Sequence, residues 1–321
     1  MFEELKNSKV LVTGATGLVG QALVRKLLVY DADVIAVVRD LEKAISVFGG
    51  DSPITFIVDD VTELEVKKYD VDYIIHAASN TSSKAFINDP VGVINTALEG
   101  TKRTLEIARL SGVKGYVFPS TMEVYGTPTT DEKIDELHGT NLNTMAPRSA
   151  YPESKRMCES LCTAYASQYG VPAKVVRLTQ TFGPGVQYND GRVFAEFARC
   201  AIEGRDIVLH TKGETKRNYL YTEDAVEAIL TVLVKGRSGE AYNAANEETY
   251  CSIYEMAQMV AKECGEGKIK VRTEEADVAA MGYAPILHLN LDTKKLRTLG
   301  WKPQVSLTDM FRNMIAEMRQ D

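Results

Sequence analysis

The chain has 321 residues, of which 45% are hydrophobic and 25% are charged, which suits a globular protein with one large core or two cooperating lobes. It contains no run of about 18 apolar residues, so no membrane span is predicted. The net charge of −7 argues against general nucleic-acid binding. The acidic segment from Met1 to Lys6 does not match a signal peptide, and a cytoplasmic protein is expected.

The five cysteines give no indication of a metal site. They include no Cys-x-x-Cys pair, and although Cys158 and Cys162 share a helical face, no histidine lies near them in sequence. Buried, reduced thiols are therefore expected, and no metal is predicted.

Short apolar strands alternate with helices in the first half of the chain. Helices are predicted at residues 21–28, 91–110 and 151–169, and strands at residues 9–12, 33–38, 55–58, 73–76, 115–118 and 175–178. This alternation predicts an α/β fold of the Rossmann type, built on a doubly wound parallel sheet.

The alternation becomes less regular after Gly183-Pro184-Gly185. Short strands such as residues 206–209 separate helical stretches at residues 192–204, 222–235, 252–264 and 305–319. We therefore expect a dinucleotide-binding Rossmann domain over residues 1–181. Residues 182–321 are expected to form mainly a smaller, partly interleaved lobe that binds substrate.

A glycine-rich turn follows the first strand directly, and a helix follows the turn. Strand, glycine turn and helix is the order that dinucleotide binding requires. Gly14 permits the tight turn, Gly17 lets the backbone approach phosphate, and Gly20 allows close packing of helix on strand. The helix N-terminus then faces the anion. The predicted pyrophosphate site consists of Gly14, Thr16, Gly17, Leu18 and Gly20.

Tyr151 and Lys155 lie one helical turn apart and are expected to point to the same side. A lysine ammonium near a phenol lowers the phenol pKa from about 10, which makes tyrosine useful as a base near neutral pH. Thr121 closes the fifth strand, and ligands of open α/β sheets bind beyond the carboxyl ends of strands. Thr121 could therefore hydrogen-bond the same substrate hydroxyl. The alternative is a half-buried tyrosine beside an exposed lysine.

These segments together resemble the extended short-chain dehydrogenase/reductase family, the NAD-dependent epimerases and dehydratases that act on nucleotide sugars. The resemblance covers nearly the whole chain. Further matching pieces are Asp60-Val61, His76-Ala77-Ala78, Asn95, residues 123–126, Arg177 with Gly183-Pro184, Arg217 before Tyr219, and residues 299–303.

The resemblance implies a tightly held NAD or NADP that takes hydride from a sugar carbon and usually returns it. It implies that Tyr151 is the base at the sugar hydroxyl, that Lys155 holds the nicotinamide ribose, and that Thr121 orients the hydroxyl. Further cofactor contacts are implied at Asp60, Val61, Ala77 and Ala78.

A homodimer is also expected, because the helices at residues 91–110 and 151–169 match the two that commonly form a four-helix interface in the family. Their apolar residues fit packing against the sheet equally well. These residues are Ile94, Ala97, Leu98, Leu105, Met157, Leu161 and Ala164.

The residues after Thr121 separate the activities of the family. The 4,6-dehydratases carry an Asp-Glu pair there, but Met122 occupies the aspartate position, and its thioether cannot protonate a leaving hydroxyl. UDP-glucuronate decarboxylases keep the glutamate, which corresponds to Glu123 here. Glu123 could donate a proton or organise water near C5 of the sugar. The alternative for Glu123 is a partly solvated carboxylate.

The substrate is expected to be a nucleotide sugar, with UDP favoured, contacted by Gln180, Arg192, Arg217 and His288. Arginine suits bidentate phosphate contact, so Arg217 is assigned to the pyrophosphate, with a surface ion pair as the alternative. The family usually has asparagine at Gln180 and a second phosphate-binding arginine near His288, and the decarboxylases have arginine at Gly185. Because of these departures, the substrate could be an unusual nucleotide sugar or a smaller molecule.

The choice of cofactor depends on the end of the second strand. NAD enzymes place an acidic side chain on the ribose 2′-hydroxyl. Here Arg39 follows the strand and precedes Asp40, and Lys43 could assist Arg39 in holding a 2′-phosphate. Alternatively, Arg39 stacks on adenine and Asp40 reaches the hydroxyls. NADP is slightly favoured over NAD.

Three hypotheses for the function remain open. The leading one is a nucleotide-sugar epimerase or decarboxylase that oxidises C4 transiently. The second is an NADPH-dependent reductase of a keto-sugar or other carbonyl, which Arg39 would favour. The third is a non-catalytic dinucleotide sensor, but such relatives typically lose the tyrosine or the lysine, whereas Tyr151 and Lys155 are both present.

Overall fold

The computed structural model describes residues 2–82, 84–274 and 286–320. Its strands are β1 (Lys9–Thr13), β2 (Asp33–Val38), β3 (Ile54–Val58), β4 (Tyr73–His76), β5 (Gly115–Thr121), β6 (Lys133–Ile134), β7 (Ala173–Leu178), β8 (Gln180–Phe182), β9 (Ile207–Leu209), β10 (Lys216–Tyr221), β11 (Ala241–Ala244), β12 (Asn246–Ser252), β13 (Val271–Thr273) and β14 (His288–Leu291). Its α-helices are α1 (Leu18–Val29), α2 (Leu41–Phe48), α3 (Ala85–Asn88), α4 (Pro90–Ser111), α5 (Ala150–Tyr169), α6 (Val193–Glu203), α7 (Thr222–Lys235), α8 (Ile253–Glu263), α9 (Lys294–Arg297) and α10 (Leu307–Met318). Short 3₁₀ turns lie at Glu3–Leu5, Met122–Tyr125 and Pro147–Ser149.

Seven parallel strands form the main sheet, in the order β11-β7-β5-β4-β1-β2-β3. Helices α1 and α7 pack on one face, where Val10 and Val12 of β1 are fully buried. Helices α4 and α5 pack on the other face around Leu11. Burial of alternate residues on both faces explains why β1 is a continuous apolar run. The predicted Rossmann-type fold is confirmed.

A second lobe is built on a mixed sheet in the order β12-β10-β14-β6, with β8 beside β10. Helices α6, α8 and α10 pack around Phe182, whose ring stacks on Phe194 with a centroid distance of 4.5 Å. The chain passes between the lobes in both directions. Residues 222–244, which include α7 and β11, return to the main sheet, whereas β6 belongs to the second.

The helix ends follow ordinary capping chemistry. Helix α4 begins where the Asp89 side chain accepts a hydrogen bond from the Gly92 nitrogen, with Pro90 at the first helical position. It ends at Gly112, whose φ of 65° is left-handed. Helix α5 starts directly after the turn Pro147–Ser149, which puts Tyr151 in its first turn.

None of the helices described above is long and apolar enough to cross a membrane. Across residues 2–82, 84–274 and 286–320, no group of three or more histidine, cysteine, aspartate or glutamate side chains is placed to hold a metal ion. The cysteines are unpaired thiols, buried at Cys158, Cys162 and Cys200 but partly exposed at Cys251 and Cys264.

A buried ion pair joins helix α5 to the main sheet. The Arg177 guanidinium on β7 donates two hydrogen bonds to Glu159 Oε2, of 2.7 and 3.2 Å, and one of 3.1 Å to Oε1. Glu159 Oε1 also accepts a 2.6 Å bond from the Ser120 hydroxyl on β5. Arg177 Nη1 donates to the Tyr125 hydroxyl at 2.8 Å. These bonds fix α5 against the carboxyl ends of β5 and β7.

We expect Arg177→Met to cost about 3–5 kcal/mol of folding free energy, because it leaves Glu159 buried without a cation. Urea denaturation monitored by circular dichroism measures this cost. Arg312→Met is the control, since Arg312 pairs with Glu263 at the surface. Equal costs for the two variants would contradict the expected penalty for leaving the Glu159 carboxylate buried without a cation.

Candidate active site

A cavity of about 930 Å³ opens at the carboxyl ends of β1, β2, β4, β5 and β7. Residues of both lobes line it. It includes sixteen predicted site residues besides Tyr151, namely Gly14, Thr16, Gly17, Leu18, Gly20, Arg39, Asp60, Val61, Ala77, Ala78, Thr121, Glu123, Lys155, Gln180, Arg192 and Arg217. Residues far apart in sequence therefore meet where an α/β sheet binds its ligands.

The glycine turn is shaped by contact between two backbone segments. Gly14 has a φ of 68°, and a Cβ there would lie 2.6 Å from the Ala78 nitrogen. A Cβ on Gly20 would lie 2.0 Å from the Gly14 carbonyl oxygen. Helix α1 begins after Gly17 without a side-chain cap, so its first backbone N–H groups face the cavity. A pyrophosphate fits this turn.

Polar residues at the ends of β1 and β4 join the glycine turn to the segment that follows β4. Thr13 Oγ1 accepts a hydrogen bond from the Ala78 nitrogen at 3.1 Å and lies 2.8 Å from His76 Nδ1. Burial, assisted by the nearby Lys155 charge, lowers the pKa of His76 to about 3. His76 is therefore neutral, and it supports the turn without adding charge. Neither Thr13 nor His76 has a role predicted from the sequence, although His76 belongs to a segment that matches the family.

Asp60 follows β3 and is oriented by local hydrogen bonds. Its Oδ1 accepts from the Thr62 nitrogen at 2.9 Å and from the Thr62 hydroxyl at 2.7 Å. Burial works to raise the pKa of Asp60, but these hydrogen bonds outweigh it, and the pKa is lowered. Asp60 is thus an ionised acceptor at neutral pH.

The opposite side of the cavity brings Thr121, Tyr151 and Lys155 together. Thr121 ends β5, and α5 carries the tyrosine and the lysine on successive turns. The Lys155 ammonium donates a 3.0 Å hydrogen bond to the Pro119 carbonyl and stands 4.4 Å from the centre of the Phe118 ring. The lysine is therefore buried rather than exposed, unlike the alternative considered from the sequence.

The expected lowering of the Tyr151 pKa is not observed. Burial raises this pKa well above its usual value, and the Glu123 charge raises it further. A hydrogen bond with Thr121 and the Arg148 charge act in the opposite direction without compensating. The expected lowering rests on the lysine charge, whereas desolvation of the phenol dominates its pKa.

Burial also lowers the pKa of Lys155, to about 8. The charges of Cys158 and Glu159 act against this effect. Lys155 therefore keeps its proton at neutral pH but loses it at mildly alkaline pH. Such a shift next to a cavity is typical of functional sites.

Glu123 forms an ion pair that the sequence analysis did not predict. Arg148 Nη1 donates a 2.8 Å hydrogen bond to Glu123 Oε2, and both side chains line the cavity. The same guanidinium lies 5.8 Å from the centre of the Phe86 ring. Phe86 stacks on Tyr151 with a centroid distance of 4.2 Å. Only the position of Arg148, three residues before Tyr151, could have suggested this arrangement.

Met122 is almost fully buried between Thr121 and Glu123. Its sulfur accepts a 3.2 Å hydrogen bond from the Thr179 hydroxyl. A thioether in this position offers the cavity no transferable proton.

The substrate side of the cavity is lined by Gln180, Arg192 and Arg217. Arg192 is paired with Asp190 through a 2.6 Å bond and stacks over Phe194. Arg217 differs, because no carboxylate in the described parts of the chain pairs with its guanidinium and its buried Nε lacks a hydrogen-bond partner. This orphaned donor fits a phosphate group better than the surface ion pair considered as its alternative.

The structure does not bring His288 to this cavity. Its Nδ1 lies 3.0 Å from an Asp131 carboxylate oxygen, on a cluster completed by Lys216 and Tyr250. Lys216 and His288 are paired across β10 and β14, whereas the next residue, Arg217, faces the cavity. The alternation of side chains along a strand explains why neighbouring positions reach different faces.

The fold and the cavity define a class of protein, an α/β enzyme that binds a nicotinamide dinucleotide beside a buried tyrosine and lysine. The profile of the NAD dependent epimerase/dehydratase family matches residues 10–245. The chain belongs to this family.

Two curated relatives span most of the chain. UDP-glucuronic acid decarboxylase 1 of Xenopus tropicalis is 30% identical over 325 residues, covering all of this chain and 74% of that protein. UDP-glucuronic acid decarboxylase 6 of Arabidopsis thaliana is 29% identical, covering 94% of this chain and 86% of that protein. Of the solved structures, UDP-glucose 4-epimerase of Thermotoga maritima, with UDP-glucose, has a TM-score of 0.84 at 23% identity, covering 97% of this chain and 99% of that chain. This likeness shows the shared fold.

Lys155→Met should stabilise the fold and abolish activity. Burial lowers the pKa from the usual 10.5 to about 8, so below pH 8 the folded state bears the full cost of the buried charge. Between about pH 8 and 10.5 the unfolded chain binds more protons, and wild-type stability rises with pH. The gain in Tm of the variant should therefore be larger at pH 7 than at pH 10.

Lys174→Met is the matched control. Lys174 is buried on β7, donates to the Leu233 carbonyl at 3.0 Å, and has a pKa lowered to about 8 by burial, but it does not line the cavity. This variant should show the same pH-dependent gain in Tm with activity retained. A gain in Tm that does not change with pH in either variant would contradict the argument.

Proposed function

We propose that this chain modifies a nucleotide sugar, with UDP favoured as the nucleotide, through transient oxidation of the sugar at C4. The observation that supports this most strongly is the meeting of Thr121, Tyr151 and Lys155 in one cavity with the glycine turn and Arg217. The named relatives support the same class, since they are UDP-glucuronic acid decarboxylases. Epimerisation and decarboxylation are both compatible with it.

The dinucleotide would be held by the glycine turn, by Asp60 and Val61 after β3, and by Ala77 and Ala78 after β4. When bound, it supplies a hydride acceptor beside the sugar. Lys155 would hold the nicotinamide ribose, because its ammonium is fixed by the Pro119 carbonyl at the end of β5. The N-terminus of α1 would face the pyrophosphate.

Tyr151 would accept the proton of the C4 hydroxyl, and Thr121 would orient that hydroxyl. The high pKa of Tyr151 makes its phenolate a strong base, although a scarce one at neutral pH. The Thr121 hydrogen bond and the Arg148 charge lower this pKa and so favour the phenolate. The stacked Phe86 ring shields one face of the phenol from water.

Glu123 and Met122 limit what can happen at the neighbouring carbons. Met122 provides no acid for loss of a hydroxyl, which disfavours 4,6-dehydration. In a decarboxylation, the C5–C6 bond breaks beside a 4-keto group, carbon dioxide leaves, and C5 then takes a proton. Glu123, which Arg148 holds by a hydrogen bond in the same cavity as Tyr151, would organise the water or relay that proton.

Incubation with UDP-glucuronate, with NAD or NADP added in parallel, tests the proposal by mass spectrometry of the sugar nucleotide. We expect loss of carbon dioxide, or an unchanged mass with a 4-epimer visible in proton spectra. Tyr151→Phe should lower the rate at least about 100-fold, because the proton acceptor is removed. Glu123→Gln should impair decarboxylation more than epimerisation.

Glu153→Gln serves as the control, since Glu153 lies on the same helix, pairs with Arg156 and does not line the cavity. This variant should retain the wild-type rate. If the wild type alters neither UDP-glucuronate nor UDP-glucose with either cofactor, the proposed function is overturned for UDP-sugars of this type.

We also propose a homodimer formed through α4 and α5. Apolar side chains on these helices are exposed, at Val91, Leu110, Met157 and Tyr169. Such residues on adjacent helices suit a four-helix interface.

The division into a Rossmann domain up to residue 181 and a substrate lobe from residue 182 stays a prediction, with residues 222–244 returning to the first sheet.

Light scattering tests the dimer. The wild type should have twice the mass of one chain, and Met157→Glu should yield monomers, because it places a charge in the apolar contact. Val208→Glu is the control, as Val208 is exposed on β9 in the other lobe. A monomeric wild type would refute the proposal.

A further inference from the structure

Two cations line the cavity where β2 ends. Arg39 follows β2 directly, and its side chain is 80% exposed. Lys43 lies in the first turn of α2. Both face the same cavity as the glycine turn. When a pyrophosphate occupies that turn, the adenosine ribose of a dinucleotide reaches the end of the second strand.

The carboxylate next to Arg39 in sequence is directed away from this position. Asp40 Oδ1 accepts a hydrogen bond from the Lys43 backbone nitrogen at 3.0 Å and caps helix α2. Asp40 is absent from the residues that line the cavity, among those that the structure describes. The end of β2 therefore supplies no acidic partner for a ribose 2′-hydroxyl, which NAD enzymes place there.

The other nearby carboxylates, Asp59 and Asp60, follow β3, which is one strand further from the glycine turn. Oδ1 of Asp60 already accepts two hydrogen bonds from Thr62. Its Oδ2 lies 3.8 Å from Arg39 Nη1, a long contact that leaves most of the guanidinium open to solvent. Neither Asp59 nor Asp60 draws the Arg39 side chain out of the cavity.

We propose that Arg39 and Lys43 form a subsite for the 2′-phosphate of NADP, so that this chain prefers NADP within a family described as NAD dependent. A guanidinium donates two parallel hydrogen bonds to a phosphate, and an ammonium adds a compact charge. A 2′-hydroxyl offers these cations no charge to neutralise. The inference rests on the dinucleotide site proposed above.

Isothermal titration calorimetry with NADP and with NAD tests the subsite without measuring turnover. The wild type should bind NADP at least about tenfold more tightly than NAD. Arg39→Gln should weaken NADP binding by about 10- to 100-fold and leave NAD binding unchanged. Lys43→Gln should give a smaller loss in the same direction, and Arg39→Asp should reverse the preference.

Arg237→Asp is the matched control for the change in net charge, because Arg237 is 83% exposed and lies outside the cavity. Its affinities for both dinucleotides should equal those of the wild type. Equal loss of NAD and NADP in Arg39→Gln would mean that Arg39 stacks on adenine, and would overturn the subsite. A wild type that prefers NAD would also overturn it. Binding of neither dinucleotide would refute the dinucleotide site itself.

Discussion

The geometry of the site depends on one buried carboxylate. Glu159 lies one helical turn after Lys155, and it accepts a hydrogen bond from Ser120, the residue before Thr121. It therefore fixes the helix that carries the tyrosine and lysine against the strand that carries the threonine. A buried carboxylate persists only with a cationic or hydrogen-bonding partner, and Arg177 on β7 provides both. The positions of Thr121, Tyr151 and Lys155 thus depend on the partners that neutralise the buried Glu159 carboxylate.

The main sheet has a buried lysine near each end of its strands, and only one of the two lines the cavity. Lys155 and Lys174 are both buried, both donate to a backbone carbonyl, and both have a pKa lowered to about 8. Lys155 lines the cavity at the carboxyl ends of the strands, whereas Lys174 stands near the start of β7. A lowered pKa alone does not identify a functional lysine, and its place relative to the strand ends decides the matter.

The sheet and the glycine turn could be predicted because they depend on local patterns. Apolar runs mark buried parallel strands, and the spacing of Gly14, Gly17 and Gly20 marks close backbone approach. The raised pKa of Tyr151 could not be predicted, because it depends on desolvation of the phenol in the folded chain. The Glu123–Arg148 pair could not be predicted either, because it depends on side-chain directions set by distant segments. His288 lies outside the cavity for a related reason, because a shift of one residue along a strand reverses the face that a side chain reaches.

The guanidinium groups that line the cavity differ in whether a carboxylate neutralises them. Arg148 and Arg192 are each paired with a carboxylate, so they contribute shape and hydrogen bonds with little net charge. Arg217 is unpaired within the described residues, and Arg39 keeps only a long contact to an acid. Guanidinium charge without a close carboxylate therefore stands at two separated places, one beside β2 and one on β10. Two phosphorylated ligands that meet between them would place their phosphates at these two positions and their reacting carbons near Tyr151.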